Sequence, residues 1–344
     1  MKTGKVSDTI LSRAVLKPVN AVRGRNITRI DIGQDAGEVK LISGVIEACE
    51  AENSEADINL LTSTESGYMP LIKAVNNIYA AGGVPVVASD CIIMSDKARE
   101  IRLREEVASL TRQAAVTGVS LSGGHTTVSD KVNGSIVTVT ATGIRNKQRI
   151  KPEAGQYIIM AGVAGISGIR QLIEQNKDKV SERYSEDFIN KASGKEEEIF
   201  IGSIVNILRQ QGIDCYMHDV SEGGIFGALW DMCEYGHMGL DVDIRSIPVR
   251  QEIIEICELL NINPYELESM GCLLMTADND CDIINILNSH DIKASVIGHL
   301  TKGNQRILRN RDEERFLDIP MSCIVAVSSK CADCRIYYQQ NIIN

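Results

Sequence analysis

The chain alternates β-rich runs with helical stretches, and glycine clusters stand where one kind of element gives way to the other. Apolar spacing predicts an amphipathic helix over 96–117, ended by Gly118, and another helix over 71–82. Strands are predicted at 84–94, 119–124 and 135–143, followed by further strand–helix alternation to about residue 300. Mixed α+β domains, two of them, are the fold class that this pattern favours.

A polar stretch at 145–155, RNKQRIKPEAG, interrupts the alternation and contains Pro152 and Gly155. Such punctuation predicts a domain boundary. A length of 344 residues is also typical of about two domains. We therefore expect an N-terminal domain over 1–150, a C-terminal domain over 151–310, and a tail over 311–344.

Composition excludes several classes of protein. Hydrophobic residues make up 44% and charged residues 24%, which is ordinary for a soluble globular chain. A net charge of −10 with only 4% aromatic residues argues against nucleic-acid binding. No apolar run approaches the roughly 18 residues of a membrane span. Ten cysteines without a signal peptide indicate reduced thiols, so we expect a cytoplasmic protein.

Two polar segments are candidates for a metal site. Gly33-Gln34-Asp35-Ala36-Gly37 places a carboxylate among glycines, where it can hold Mg²⁺ while the backbone approaches a phosphate. The segment 62–66 carries Glu65 at a predicted strand end, with Asn77 on the next helix. The simpler interpretations are an Asp-containing turn for the first segment and helix capping for the second.

The segment 122–127, SGGHTT, follows a predicted strand. Consecutive N–H groups at a Gly123-Gly124 turn can form an anion nest, and His125 and Thr126 can donate hydrogen bonds to a phosphate. A loop histidine that is merely exposed is an equally good interpretation.

A fourth segment, HDVSEGG at 218–224, bridges a predicted strand and helix. It can present His218, Asp219 and Glu222 at a helix N-terminus, where the macrodipole favours anions. Glu222 can equally be a first-turn acid beside a capping Ser221. The order and spacing of the four segments are more specific than any one of them.

Taken together, these motifs resemble the AIR-synthase-related (PurM-like) superfamily, with the HypE type of hydrogenase-maturation protein as its most similar branch. IGQDAGEV is similar to the family's GDDAA motif, AVNNIYAAGGVPV to its VNDIA helix, and LSGGHTTV to GGHTEV. In the second half, HDVSEGGIFGALWDM, the run from IPVRQ to LLMTA, and VIGHL follow in order. The resemblance covers about residues 4 to 300.

The resemblance implies an N-terminal ATP-binding α/β domain that dimerises through its strands and a C-terminal α/β domain that closes over it. It implies ATP-dependent phosphorylation of an amide or carboxamide oxygen, with Mg²⁺ as cofactor. The HypE type dehydrates a carbamoyl group on its own C-terminal cysteine. A small-molecule or protein-borne acceptor, a homodimer and a maturation-protein partner are therefore expected.

The resemblance also assigns roles to residues. Asp35 and Glu65 are expected to hold the metal, and His218, Asp219 and Glu222 to face the acceptor. The remaining expected nucleotide contacts, besides Asp35, are Lys5, Gly33, Asn77, Gly123, Gly124, His125 and Thr126.

Departures from the family motifs support a second hypothesis. Amides stand at Gln34 and Asn77 where the family has acids, and Ser167 and Thr127 replace two family glutamates. Loss of this charge weakens the case for Mg²⁺. The alternative is a catalytically degenerate module that binds a nucleotide or a protein partner.

The end of the chain supports a third and weaker hypothesis. Instead of a terminal acceptor cysteine, the chain has Cys323 and the pair Cys331 and Cys334. A single C-x-x-C motif is weak evidence for zinc or for a redox pair. It allows a thiol-based sulfur or metal carrier.

Overall fold

In a computed structural model, which describes residues 8–22, 31–32, 36–40, 58–279 and 281–319, the chain forms two β-sheets with helices around them. The strands are β1 (Gly37–Lys40), β2 (Asn59–Ser66), β3 (Val84–Ser95), β4 (Leu121–Ser129), β5 (Ile136–Arg145), β6 (Tyr157–Ala161), β7 (Tyr216–Val220), β8 (Gly239–Asp243), β9 (Cys272–Ala277), β10 (Ala294–Thr301), β11 (Arg306–Asn310) and β12 (Glu313–Phe316).

The α-helices are α1 (Asp8–Leu11), α2 (Lys17–Val22), α3 (Pro70–Ala80), α4 (Glu100–Thr117), α5 (Ile166–Gln175), α6 (Lys177–Arg183), α7 (Glu186–Ser193), α8 (Gly202–Gln210), α9 (Gly224–Gly236), α10 (Gln251–Leu260) and α11 (Cys281–Ser289). A π-helix spans Ser12–Leu16, and 3₁₀ turns span Glu196–Ile199 and Ile244–Ser246.

The first sheet has the strand order β1-β2-β5-β3-β4. Its pairs are antiparallel except β3 and β4, which run parallel and are joined by α4. Parallel neighbours need such a crossover, so the long amphipathic helix follows from the pairing. Gly118 ends α4 in the left-handed conformation, with φ 69°, as the sequence indicates.

The second sheet has the order β12-β11-β8-β10-β6-β9-β7. Its pairs are antiparallel except β11 with β8. The chain passes from one sheet to the other between β5 and β6, in the polar stretch 145–155. Strand β12 belongs to this sheet although it lies inside the segment 311–344, which the sequence assigns to a tail.

Helix α3 joins the two halves of the molecule. All eleven of its residues are buried, and Leu71, Ala74 and Val75 belong to a core cluster shared by both sheets. Strand residues such as Val139 and Met275 pack in that same cluster. Polar side chains on α3 are consequently enclosed between the two halves.

One sequence interpretation needs correction, and another is confirmed. The run 84–94 is one strand, as predicted, but it is not buried throughout, because Val84 and Val86 are more than half exposed. The cysteines at 233, 257 and 272 are buried core residues, as predicted.

Candidate functional site

Strand β2 and helix α3 place Glu65 and Asn77 together, as the sequence anticipates. The Asn77 amide donates hydrogen bonds to Glu65 Oε1 and to Ser63 Oγ, each at 2.8 Å. The capping interpretation is wrong, because α3 begins after Met69 and no side chain caps it. Glu65 is therefore fixed as part of a polar group at the junction of the two halves.

Lys73, one turn before Asn77 on α3, is the centre of this group. Its Nζ lies 2.5 Å from Glu268 Oε1 and 3.5 Å from Glu222 Oε1. Gln171 donates to the second oxygen of Glu268 at 2.5 Å. Lys73 and Glu268 are almost completely buried, whereas the Glu222 side chain is 34% exposed. The network links α3 to the loops that precede α9 and β9.

Electrostatics in this network favour a charged lysine. Burial alone lowers the pKa of Lys73, but Glu268 and Glu222 outweigh burial and the net pKa is raised above its ordinary value. Burial raises the pKa of Glu65, although Lys73 and the hydrogen bond from Asn77 oppose that rise. One ammonium thus lies in the field of three carboxylates.

The structure separates two of the residues predicted to act together. His218 and Asp219 are adjacent in β7, so their side chains point to opposite faces of the sheet. His218 shares the face of Tyr216 and Val220, which pack in the second core cluster. Asp219 shares the face of Met217, which packs against the cluster that contains α3. Glu222 contacts Lys73 of the junction, and Asp219 lies on the face of β7 that packs against the cluster containing α3.

The segment between β7 and α9 also differs from the predicted cap. Helix α9 begins at Gly224, its cap residue is Gly223, and no side chain caps it. Glu222 precedes the helix and contacts Lys73 instead. Ser221 contributes its carbonyl oxygen, which accepts a hydrogen bond from the Gly224 N–H.

The predicted phosphate turn is a strand. Gly123, Gly124, His125 and Thr126 lie within β4, the edge strand of the first sheet, and all four are exposed. Gly124 is opposite Asp90, whose carboxylate lies where a Cβ at position 124 would have to be. An extended strand lacks the alternating turn conformations that form an anion nest, so the nest interpretation is wrong.

Three predicted residues lie outside the described residues, namely Lys5, Gly33 and Asp35. Cys323, Cys331 and Cys334 of the tail lie outside them as well. Within the described part of the chain, no three His, Cys, Asp or Glu side chains are grouped closely enough to share a metal ion. Glu65 is consequently the one predicted metal ligand with a described position.

Sequence reasoning missed the residues that complete the junction. Lys73 and Glu268 come from distant parts of the chain, and only folding brings them together. Lys73 does give one signal, a charge within the apolar run PLIKAV. Ser167, at the position of a family glutamate, is buried and accepts a hydrogen bond from the Met270 N–H at 2.9 Å, so it supports the loop next to Glu268.

This chain has the fold of a two-domain α+β protein, and its two halves meet at a buried polar junction. Family models agree over most of the chain: the AIR synthase related protein N-terminal domain matches residues 33–145, and the C-terminal domain matches 153–309. The chain belongs to the AIR-synthase-related family.

Relatives within the family are distant. A putative hydrogenase expression/formation protein of Methanocaldococcus jannaschii is 24% identical over 267 residues, which are 74% of this chain and 76% of that protein. Carbamoyl dehydratase HypE of Rhodobacter capsulatus is 23% identical over 215 residues. The match covers 61% of this chain and 61% of that enzyme, which is less than two thirds of the enzyme's length.

Solved structures show the same fold. A chain from a HypE–HypF complex gives a TM-score of 0.68 at 17% identity, covering 90% of this chain and 99% of that one. HypE in complex with ATP gives 0.65 at 16% identity, covering 94% and 97%. No helix within the described ranges has the length and hydrophobicity needed to cross a membrane.

Proposed function

We propose that this chain is an ATP-dependent enzyme that phosphorylates an amide or carboxamide oxygen of an acceptor, in the manner of HypE. Membership of the AIR-synthase-related family and the resemblance to an ATP-bound HypE fold support ATP as the substrate. The observation that carries the proposal is the junction of Lys73, Glu222 and Glu268, which brings both halves to one polar site.

The chain's own residues divide the work. Lys73 and Glu268 hold the two halves in register, and Glu222, the partly exposed member of the network, faces the acceptor together with Asp219. His218, enclosed on the far face of β7, supports the strand and does not contact the acceptor. Phosphoryl transfer depends mainly on positioning and on neutralisation of charge, which a rigid junction of this kind provides.

We propose that Asp35 and Glu65 would hold Mg²⁺. Carboxylate oxygens suit this ion, and Glu65 stands beside the junction. When bound, the ion would neutralise charge on the transferred phosphoryl group. Lys5, Gly33 and the exposed segment of β4 remain proposed nucleotide contacts.

Partners follow from the same comparison. We propose a homodimer formed through the first sheet, which exposes Val84, Val86 and Val128. A maturation-protein partner is suggested by the HypE–HypF complex, and the acceptor is a small molecule or a group carried on a protein. Free thiols at Cys91, Cys215 and Cys257 fit a cytoplasmic location.

Calorimetric titration with ATP, with and without Mg²⁺, tests the metal assignment. Glu65→Gln is expected to weaken Mg²⁺-dependent ATP binding about tenfold, whereas Glu182→Gln, the same change at an exposed site, is expected to leave it unaltered. Asn77→Asp restores the family's acid and is expected to strengthen the dependence on Mg²⁺. Equal affinities in all four proteins would contradict the assignment.

The amide at Asn77 favours one alternative, a degenerate module that binds nucleotide without metal. Its N–H groups already donate hydrogen bonds to Glu65 and Ser63, and Lys73 supplies positive charge nearby. ATP affinity that is independent of Mg²⁺, with no ADP release in the presence of carboxamides, would favour this module over the enzyme. The carrier hypothesis for Cys331 and Cys334 stays a prediction from the sequence.

A further inference from the structure

A cavity lies between the two halves of the molecule, at the C-terminal end of α3. Its volume is about 360 Å³, which is within the range of small-molecule sites. Its lining residues come from 80–84 in the first half, from the connecting stretch 144–150, and from 205–217 in the second half. Lys73 lies about two turns earlier on α3, roughly 10 Å along the helix axis, so this cavity is separate from the polar junction.

Basic side chains dominate the charge of this cavity. Its lining includes Arg145, Lys147, Arg149 and Arg209, but only one acid, Asp214. The excess of positive charge is local, because the whole chain has a net charge of −10. The lining therefore favours an anion over a cation.

Two of these cations belong to the wall of the cavity. Arg145 is 5% exposed; its Nε and Nη1 donate to backbone carbonyl oxygens, each at 2.8 Å, and its Nη2 pairs with Glu38 at 2.6 Å. The guanidinium carbon of Arg149 lies 4.5 Å from the centroid of the Tyr235 ring. We therefore assign neither side chain a contact with a ligand.

Arg209, in the last turn of α8, has donors that a ligand can reach. Its Nη2 donates to the Gly83 carbonyl oxygen at 2.8 Å. Its Nε and Nη1 have no acceptor among the described residues, and neither of these two atoms is buried. Burial of the rest of the side chain lowers the pKa of Arg209, and Asp214 opposes this only from a distance. The guanidinium thus lacks a carboxylate in contact with it among the described residues.

Lys147 and two isoleucines complete the accessible part of the lining. Lys147 Nζ pairs with Asp214 at 2.7 Å, but both side chains are more than half exposed, and such a pair contributes less than about 1 kcal/mol. The ammonium can therefore turn towards a ligand at little cost. Ile144 and Ile150 are 41% and 39% exposed, which leaves apolar surface beside the two cations.

We propose that this cavity binds a small organic monoanion, a molecule that joins an apolar body to one carboxylate. Arg209 and Lys147 donate hydrogen bonds to the carboxylate, and Ile144 and Ile150 cover the apolar body. A single negative charge matches these groups, because two cations are opposed by one acid, Asp214. This site does not depend on the proposed function.

Calorimetric titration of the full chain with three probes tests the class of ligand. The probes 1-naphthoate, 1-naphthamide and 1-naphthylmethylammonium share an apolar body and differ in the charge of the head group. Naphthoate is expected to bind about tenfold more tightly than naphthamide, and the ammonium most weakly. Absence of saturable naphthoate binding in the millimolar range, or equal affinity for naphthamide, would overturn the proposal.

Substitutions at Arg209 test where naphthoate binds. Arg209→Met is expected to weaken naphthoate about tenfold, whereas Arg209→Lys keeps the charge and should weaken it by no more than about threefold. Arg112→Met, at an exposed position of α4, is the matched control and should leave the affinity unaltered. Naphthoate affinity that is the same in Arg209→Met as in the wild-type protein would overturn the proposal.

A substitution at Asp214 tests the charge argument through a gain in affinity. Asp214→Asn removes the acid that competes for Lys147, so naphthoate should bind about threefold more tightly while naphthamide affinity stays the same. A misfolded protein cannot mimic that gain. Naphthoate affinity that is unchanged or weaker in Asp214→Asn would contradict the proposal.

Discussion

Lys73 and Arg306 are two enclosed cations that the fold treats differently. Lys73 lies between two carboxylates, and one of them, Glu268, also accepts a hydrogen bond from Gln171. Arg306 has one carboxylate, and two of its N–H groups have no oxygen or nitrogen acceptor in the described residues. A buried polar network whose members are all paired rigidifies the parts of the protein that it joins. We therefore expect Lys73 to contribute more to the stability of the fold than Arg306.

Removing the charge of Lys73 should have the largest effect on stability. Lys73→Met leaves Glu268 buried without its ion partner, which is expected to lower the free energy of unfolding by about 3–5 kcal/mol. Urea denaturation measures this loss. The double variant Lys73→Met/Glu268→Gln should recover more than half of it, because no buried charge remains. A loss below about 1 kcal/mol in the single variant would show that the network is not fully paired.

Removing the charge of Arg306 should lower stability less. Arg306→Met gives up stacking on Trp230 and a pair with Glu234, which is 37% exposed and can turn to water. The expected loss is about 1–2 kcal/mol in the same denaturation experiment. A loss as large as that of Lys73→Met would erase the distinction between the two sites.

The thiol beside Arg306 gives a pH-dependent test. Burial raises the pKa of Cys233 to about 12 from an ordinary value of 9.0, although Arg306 opposes the rise. The unfolded chain then loses this proton first, so stability is full below about pH 9 and falls as the pH rises towards 12. Cys233→Ala should reduce the downward slope of unfolding free energy by about 1 kcal/mol per pH unit. Identical slopes would contradict the buried thiol.

An exposed ion pair provides the smallest expected effect. Arg104 contacts Glu100 on the solvent side of α4, and both side chains are more than 70% exposed. Arg104→Met should change the unfolding free energy by only about 0.5 kcal/mol. A loss above about 2 kcal/mol would mean that burial is not what distinguishes Lys73.

Local patterns were good predictors wherever one helix or strand carried its own signal. Helix α4 has a sustained amphipathic period and a glycine stop, and both appear in the structure. The glycines at 123 and 124 suggested a turn, but pairing with β3 keeps them extended, because tertiary context overrides local preference. Alternation along β7 likewise separates His218 from Asp219.

The site itself was only partly predictable. Glu65 and Asn77 lie close in sequence and meet as expected. Lys73 with Glu268, and Trp230 with Arg306, come from segments far apart in the chain, and sheet topology alone brings them together. Side-chain pairs of that kind leave no periodic trace in a single sequence.

A thermal-shift titration of the purified wild-type protein with ATP, with and without Mg²⁺, is the sharpest test of whether this chain is an ATP-dependent enzyme. Ligand at about 100 times Kd should stabilise the folded chain by roughly 2.7 kcal/mol. We expect that shift, and we expect it to require Mg²⁺. No shift under either condition would contradict an ATP-dependent enzyme, and an equal shift without Mg²⁺ would contradict the metal site at Asp35 and Glu65.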